Sequence, residues 1–400
     1  MKAKRLARYG LPALVAMAAL LTTTPPAAAA GGAEALESLP AELRALYGGV
    51  EDKVQPSAYD GFKMPAKPWK WCYSESYQGN PWRISLTNET KRLIDLLKAD
   101  GSVSDFEMSD SNGDTSQQIA QIRAFIDKKC SIIVAVSGSS TALNDAIEAA
   151  YKAGIPFVSI GLVTSPYAIS VDSNYVQFGY DLAKEIVDSL GGKGNVLRVE
   201  GIAGSPLVAE QREGADKAFA EAPGVKVLRD VNGNWTANVT KSVVLQVLAT
   251  TPQKIDAVWT SGSETRIVAE AFAQAGRPIP LVTGSISGDA LGYWKEHPDT
   301  FKFEGGALLP SWTAQTAVRI GVRLLEGQEP KVGLMEIPVP TVHQADLAKW
   351  YRSCMTPDAV SVFPVAPEDP MPEPLLDGYF KNPAPTPFFD YAKTPDPCAE

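Results

Sequence analysis

Short apolar runs alternate with longer amphipathic stretches along most of this 400-residue chain, and this alternation restricts the possible folds more than any other feature. The runs have the length of strands that are buried on both faces of a parallel sheet. The stretches between them have helical period: Ile119, Ile122 and Ile126 fall on one face of a helix. Gly154 follows a helical stretch, and Pro156 prevents that helix from continuing. The sequence therefore predicts an α/β fold whose parallel strands are covered by helices.

The predicted elements are defined by these runs and stretches. The strands are expected at 69–73, 103–108, 131–136, 156–160, 195–199, 225–231, 255–259 and 279–283. The helices are expected at 81–98, 115–129, 142–153, 176–190, 207–222, 237–249 and 265–275. A single core stops growing at about 250–300 residues, and the alternation is interrupted at 161–166, before a short run at 167–171 and Asp172-Ser173-Asn174, which opens a new helix. Two doubly wound lobes are therefore predicted, with the carboxyl ends of the strands opening onto a cleft suited to a ligand.

The two ends of the chain have a different character from the middle. Residues 1–30 combine basic residues, an apolar run and a terminal Ala28-Ala29-Ala30, as a secretory signal peptide does. No cysteine lies at that cleavage site, so a periplasmic protein without a lipid anchor is predicted. Residues 31–66 are rich in Gly, Ala and Pro and are predicted to form a loose leader with one helical fragment. Residues 346–400 are rich in proline, and their many aromatic side chains favour an ordered strap over a disordered tail.

Four cysteines lie in the predicted mature chain, an even number that favours disulfides in an oxidising compartment. They are Cys72, Cys130, Cys354 and Cys398, and spacing alone allows three connectivities. No pair has the C-x-x-C spacing of a zinc site, and the chain has two histidines, so neither a metal nor another cofactor is predicted.

The charge balance and the missing motifs exclude several functions. With 37 basic and 46 acidic residues the chain carries a net charge of −9, which disfavours binding to the phosphates of nucleic acid. His297 and His343 lie in irregular sequence, apart from any candidate nucleophilic serine, and no G-x-S-x-G motif occurs. The sequence therefore predicts a binding protein and not an enzyme.

A series of short motifs resembles the ribose-binding type of periplasmic protein. These motifs are Ser76-Tyr77-Gln78-Gly79-Asn80-Pro81-Trp82, then 151–158, then Val171-Asp172-Ser173-Asn174, and then Gly201-Ile202-Ala203-Gly204 with Glu213-Gly214. The similarity runs from about 69 to 332, and the order of the motifs makes it specific. The family implied is the type I sugar-binding component of ABC importers, with two Rossmann-like lobes joined by three hinge strands. This resemblance places the crossovers near 171–172, 308–310 and 336–340.

The same resemblance assigns the extent of the lobes and the residues of the cleft. Residues 67–171 with 309–337 would form the amino-terminal lobe, and 172–308 with 338–345 the carboxyl-terminal lobe. The expected ligand-binding residues are Ser76, Tyr77, Asn80, Trp82, Arg83, Ser137, Ser139, Asp172, Trp235, Ser263, Glu264 and Ser285. Trp82 and Trp235 are predicted to stack on opposite faces of the ligand, because C–H groups pack well on an aromatic ring.

The chain departs from the sugar-binding pattern at four cleft positions that usually carry polar or charged groups. Gly161, Ala209, Gly262 and Ser285 stand there instead. Each lost hydrogen bond from a charged group costs about 1.5–3 kcal/mol of binding. A monosaccharide or polyol is the leading ligand class, and a more apolar ligand that is not a sugar is the rival.

Two functions follow from the resemblance. The first is a monomeric periplasmic receptor that delivers its ligand to an inner-membrane permease with its ATPase. The second is a sensory or partner-binding member of the same fold, whose strap and leader contact another protein. In a 2-1-3 strand order the strands holding Cys72 and Cys130 are neighbours, which predicts a Cys72–Cys130 disulfide and leaves Cys354–Cys398 to close the strap. Two lobes on strand hinges are expected to open and to close on ligand.

Overall fold

The computed structural model describes residues 27–399. The strands are β1 (Trp69–Glu75), β2 (Val103–Asp110), β3 (Ile132–Val136), β4 (Phe157–Ile160), β5 (Ile169–Asp172), β6 (Lys193–Glu200), β7 (Gly224–Asn232), β8 (Ala257–Thr260), β9 (Leu281–Ser285), β10 (Phe303–Gly306), β11 (Leu334–Glu336) and β12 (Thr341–Val342). The helices are α1 (Ala27–Glu37), α2 (Ala41–Arg44), α3 (Pro81–Ala99), α4 (Thr115–Asp127), α5 (Asn144–Lys152), α6 (Tyr175–Ser189), α7 (Pro206–Ala220), α8 (Ala237–Thr250), α9 (Thr265–Gln274), α10 (Gly288–Glu296), α11 (Pro310–Leu325), α12 (Leu347–Trp350) and α13 (Glu373–Asp377).

The strands form two six-stranded sheets, each at the centre of one lobe. The first lobe has the strand order β11-β5-β4-β3-β1-β2, and all its strands are parallel. The second lobe has the order β12-β10-β9-β8-β6-β7, in which only β12 is antiparallel to its neighbour. The predicted fold class, two doubly wound α/β lobes of the type I periplasmic binding protein kind, is confirmed.

The chain passes between the lobes three times. It leaves the first sheet after Asp172, at the end of β5, and enters the second lobe through α6. It returns between β10 and α11, and it passes again between β11 and β12. These three connections coincide with the crossovers predicted near 171–172, 308–310 and 336–340.

Polar residues at the strand ends begin the helices that cover each sheet. Asn80 precedes Pro81 and accepts the backbone N–H of Arg83, so it caps α3. Asp114 caps α4 and Asn174 caps α6 in the same way. Because a cap lies directly after a parallel strand, these residues stand at the edge of the sheet that faces the cleft.

All eight predicted strands are present, because continuous apolar runs mark strands that are buried on both faces, as in β3. The short run at 167–171 corresponds to β5, and the structure adds β10, β11 and β12 and the helices α10 and α11, which were not predicted. Helix α11 is buried along almost its whole length, including Arg319 and Arg323. Its polar side chains Gln315, Arg319 and Arg323 recur every four residues, so α11 does have a polar face, and the strap covers that face.

The leader is an ordered part of the first lobe, and the prediction of a loose segment was wrong. Leu39, Leu43, Tyr47, Val50 and Val54 are buried in the core of the first lobe. Leu43 lies in α2 and Tyr47 in the 3-10 turn that follows it, four residues apart, which is the spacing of one helix face. The composition suggested a loose chain because Gly, Ala and Pro surround these few anchors.

The strap is ordered, and both disulfides form as predicted. The Cα atoms of Cys72 and Cys130 lie 5.9 Å apart, and those of Cys354 and Cys398 lie 5.4 Å apart. Trp350, Phe363 and Tyr379 are buried, which accounts for the aromatic content of the strap.

The predicted signal peptide lies outside the described residues except for 27–30, whose backbone belongs to α1. Of the helices described from residue 27 onward, none combines the length and the apolar character needed to cross a membrane.

Candidate functional site

The carboxyl ends of the strands in both sheets define the candidate site. From the first lobe the loops after β1, β3, β4 and β5 reach this edge, and from the second lobe the loops after β6, β7, β8 and β9 do so. In open α/β sheets, ligands bind at this edge of the strands. Every cleft residue predicted from the sequence lies in one of these loops, at a strand end beside them or in the first turn of α3.

A buried carboxylate stands at the end of β1. Glu75 is fully buried, and its carboxylate accepts hydrogen bonds from the Tyr73 hydroxyl at 2.9 Å and from the Arg83 guanidinium at 3.0 Å. Burial raises the pKa of Glu75, and the nearby Arg83 opposes that rise. Arg83 is thus fixed at the cleft edge by a group that the sequence analysis missed. A charged residue at a strand end is usually exposed, so burial of Glu75 was not expected. The oppositely charged Arg83, eight residues later, was the one sign in the sequence that Glu75 has an ion-pair partner.

The other polar residues at the cleft edge of the first lobe make hydrogen bonds within the protein. Asn80 caps α3, and Ser139 accepts the backbone N–H of Ala142 at 3.1 Å. The hydroxyls of Ser137 and Ser159 lie 2.8 Å apart. Each of these side chains therefore has an internal partner that competes with a ligand for its hydrogen bonds.

Ser76 and Tyr77 follow Glu75 directly and differ in exposure. Ser76 is buried, and its carbonyl oxygen accepts the backbone N–H of Gly113 at 2.7 Å. Tyr77 is 40% exposed, which is unusual for a large aromatic side chain in this protein. Its ring lies against the backbone of Gly79, where an added Cβ atom would clash with it.

Trp82 joins the first lobe to the hinge. Its indole is partly buried against the core of the first lobe, and its Nε1–H donates to the carbonyl oxygen of Leu308 at 3.0 Å. Leu308 lies in the second connection between the lobes. The ring is thus neither a free wall of the cleft nor a fully buried core residue.

The Asp172 carboxylate is hydrogen-bonded to the backbone at the cleft edge. Its carboxylate accepts the backbone N–H groups of Leu162 at 2.8 Å and Ser173 at 2.9 Å. Burial raises the pKa of Asp172 to about 7. Glu336 lies opposite it on the neighbouring strand β11, and burial together with the charge of Asp172 raises the pKa of Glu336 as well.

Trp235 lies across the strand ends of the second lobe. Its backbone has a φ of +49°, and its Nε1–H donates to the Ser261 hydroxyl at 3.1 Å. A Cβ atom built on Gly201 would lie 2.1 Å from the indole ring, and one on Gly262 would lie 2.6 Å from it. Glycine at both positions therefore lets the ring lie directly on the backbone, with an intermediate exposure that leaves part of the ring available.

Glu264 stands beside this indole. A Cβ atom built on Gly262 would lie 2.4 Å from the Glu264 Oε2 atom and 2.6 Å from the indole ring. The carboxyl group and the ring therefore both lie against this glycine. Burial raises the pKa of Glu264 to about 7. Ser263 next to it is partly exposed, and the backbone N–H of Ser285 donates to the Gly262 carbonyl oxygen at 2.8 Å. Trp235, Ser263, Glu264 and Ser285 are thus brought together on the second lobe.

Arg212, the arginine nearest in sequence to Ala209, binds acidic side chains of its own lobe. Arg212 donates from Nε to Glu200 at 2.7 Å and also lies 3.4 Å from Asp230. Gln211 is buried, and its side-chain amide donates to the carbonyl oxygen of Ser261. Neither residue replaces the charged group that is absent at Ala209.

Among residues 27–399, one group of titratable side chains has the spacing of metal ligands. It consists of Glu185, Glu304 and His343 in the second lobe, whose ligand atoms lie within 4.8 Å of one another. The Nδ1 atom of His343 lies 3.3 Å from Glu304 and 3.6 Å from Glu185. Surface groups of this composition are common without a metal ion.

Comparison with known proteins establishes the class to which this fold and cleft belong. Residues 73–329 match the periplasmic binding protein domain, and the chain belongs to that family. An ABC transporter solute-binding protein from Thermobispora bispora is 30% identical, with a TM-score of 0.65 over 73% of this chain and 90% of that one. These matches confirm the predicted family, the periplasmic solute-binding proteins of ABC importers.

Two further relatives have named ligands. The xylitol-binding protein of Mycolicibacterium smegmatis is 27% identical over 176 residues, which are 43% of this chain and 50% of that protein. The chain thus spans about half the length of that curated relative. A solute-binding protein from Actinobacillus succinogenes with bound D-allose has a TM-score of 0.60 at 23% identity, over 70% of this chain and 99% of that one, and shares the fold.

Proposed function

We propose that this protein captures a small polyhydroxylated ligand, a monosaccharide or a polyol, between its two lobes. The observation that carries this proposal is the pairing of Trp235 with Glu264 on the second lobe. An indole face packs on C–H groups, and a carboxyl group beside it can bind a hydroxyl. This combination suits a sugar or polyol better than a purely apolar ligand.

The first lobe would supply the opposing surface. Arg83, held by Glu75, and the exposed Tyr77 lie at the carboxyl end of β1, where they can donate hydrogen bonds to hydroxyl oxygens. Trp82 would contribute its ring at the hinge side. Ser76, Asn80, Ser137, Ser139, Asp172, Ser263 and Ser285 complete the proposed contact set.

The proposed cellular role follows from the family. We infer that the mature protein acts in the periplasm as a monomer, without a lipid anchor, and delivers its ligand to an ABC permease with its ATPase. We further propose that the lobes comprise 67–171 with 309–337 and 172–308 with 338–345. No catalytic role is proposed for any residue.

A thermal-shift screen of the purified chain tests the ligand class. The panel contains xylitol, D-allose, D-ribose and myo-inositol, with L-phenylalanine and benzoate as aromatic compounds that are not sugars. A ligand at 100 times its Kd stabilises the folded protein by about 2.7 kcal/mol, so a true ligand raises the melting temperature measurably. A rise with a polyol or sugar supports the proposal, and a rise only with the aromatic compounds contradicts it. The Trp235→Ala variant serves as the matched control, because it should lose the shift.

A further inference from the structure

The strap is attached to both lobes. Its first part belongs to the second lobe: Trp350, Met355 and Ala366 are buried in the core of that lobe. The carbonyl oxygen of Val362 accepts the backbone N–H of Gly288 at the start of α10, at 2.8 Å. This part also reaches the first lobe, because the Ser85 hydroxyl of α3 lies 3.5 Å from the carbonyl oxygen of Ser361.

The middle part of the strap belongs to the first lobe. Met371, Leu376, Tyr379 and Phe380 are buried in the first core. The buried Arg319 of α11 donates to the Met371 carbonyl oxygen at 2.8 Å, and it binds Glu373 at 2.7 Å. Arg323 binds the same carboxylate. The Tyr379 hydroxyl donates to the carbonyl oxygen of Glu336 at 2.7 Å, next to the hinge. These bonds fix the middle of the strap on α11.

The last part of the strap contacts both lobes, and its Thr394 hydroxyl accepts the side-chain amide of Gln315 in α11 at 3.2 Å. Phe389 packs on the first lobe beneath the guanidinium of Arg319, which lies 4.5 Å from its ring centre. Two residues later Tyr391 packs on the second core, and its hydroxyl donates to the Ala366 carbonyl oxygen at 2.8 Å. The Cys354–Cys398 disulfide then closes the loop on the second lobe.

The leader makes a bridge of its own. Its apolar residues are buried in the first core, yet Lys53 binds Glu210 of α7 in the second lobe at 2.6 Å. The side-chain amide of Asn174, at the start of α6, donates to the carbonyl oxygens of Leu46 and Gly48 at 2.9 Å each. The strap contacts α10 and the leader contacts α6 and α7, so the two extensions hold different faces of the second lobe.

We propose that the strap and the leader are tethers that limit how far the two lobes open in the ligand-free protein. The strap limits opening because the segments of it that run from one lobe to the other are short. Five residue steps separate Ala366 from Met371, which span about 18 Å at most, and two steps separate Phe389 from Tyr391, which span about 7 Å. Rotation about the three hinge connections must stay within these limits or detach a buried anchor.

Lengthening the strap where it passes between the lobes, at 366–371 and at 389–391, tests this proposal without removing any of the buried side chains that anchor it. In the test variant, ten Gly/Ser residues are inserted between Pro367 and Glu368 and ten more between Phe389 and Asp390. Pro367, Glu368 and Asp390 are exposed, and flexible insertions at such sites cost little stability. The matched control carries all twenty residues after Pro385, in the exposed stretch between two anchors of the same lobe.

The measurement is small-angle X-ray scattering of both ligand-free full-length variants. The proposal predicts a larger radius of gyration for the test variant than for the control, although both contain the same number of residues. Equal radii would overturn the role of the strap. Thermal melting of each variant establishes that both are folded before they are compared.

A second variant covers the case in which the insertions prevent folding. Lys53→Met removes the salt bridge of the leader to α7 and leaves the strap intact. Faster hydrogen exchange at the facing ends of α6 and α7 supports the tether, and unchanged exchange there contradicts it. Both tests use the protein without ligand, so their failure is distinct from a failure of the proposed sugar or polyol binding.

Discussion

Replacing Trp235 by alanine separates a ligand-binding ring from a ring that supports the fold. The indole rests on the backbone of Gly201 and Gly262 and lies outside the buried cores of both lobes. Truncating a central aromatic contact costs about 2–4 kcal/mol of binding, which is about thirty-fold to several hundred-fold in Kd. The folded protein should lose only about 1 kcal/mol, from the single hydrogen bond to Ser261.

Calorimetric titration and thermal melting of the same variant measure both quantities. The ligand in the titration is the compound that gives the largest thermal shift with the wild-type chain. Trp259→Ala is the matched control, because Trp259 is fully buried in the second lobe. That change should destabilise the protein by about 3–5 kcal/mol and leave the affinity of the folded fraction nearly unchanged. Wild-type affinity in Trp235→Ala would refute the assigned role of the ring.

Three further changes have distinct expected outcomes. Trp82→Ala should weaken ligand binding about thirty-fold, and it should also lower the melting temperature because the ring packs on the first core and donates to Leu308. Calorimetry and thermal melting measure the two effects, and one effect without the other would contradict this dual role. Burial raises the pKa of Asp172 to about 7, so its protonated form is favoured in the folded state and stability is lost as the pH rises towards that value. Relative to Asp172→Asn, the wild type should therefore lose about 2 kcal/mol between pH 5 and 7.5 in urea unfolding, and a constant difference would contradict this reasoning. Replacing Cys354 and Cys398 together by serine opens a loop of 44 residues and should cost up to about 4 kcal/mol in the same assay, with an unchanged midpoint as the contrary result.

The fold was predictable where one physical cause determined the sequence pattern. Strands buried on both faces require continuous apolar runs, so β3 and its neighbours were recognised. Helix α11 was missed because the strap covers it: Glu373 of the strap pairs with Arg319 and Arg323, which occupy buried positions where apolar residues are expected. The partners lie some fifty residues apart in sequence, a relation that no local pattern expresses.

The site was predictable only in its location. Loops after parallel strands were correctly placed at the cleft edge, but the sequence does not distinguish a ligand contact from a helix cap. Asn80 and Ser139 were predicted as ligand contacts, and both cap local backbone. Glu75 was missed because its burial depends on Tyr73 and Arg83 folding over it. The close approach of Trp235 to two glycines likewise depends on three separate loops meeting.

Hydrogen–deuterium exchange with and without the compound identified by the thermal-shift screen shows whether the ligand is held between the two lobes. Capture between the lobes predicts slower exchange on both sides of the cleft, in 76–83 of the first lobe and in 233–236 and 261–264 of the second. Protection confined to one lobe, or protection outside these loops only, would contradict capture between the lobes.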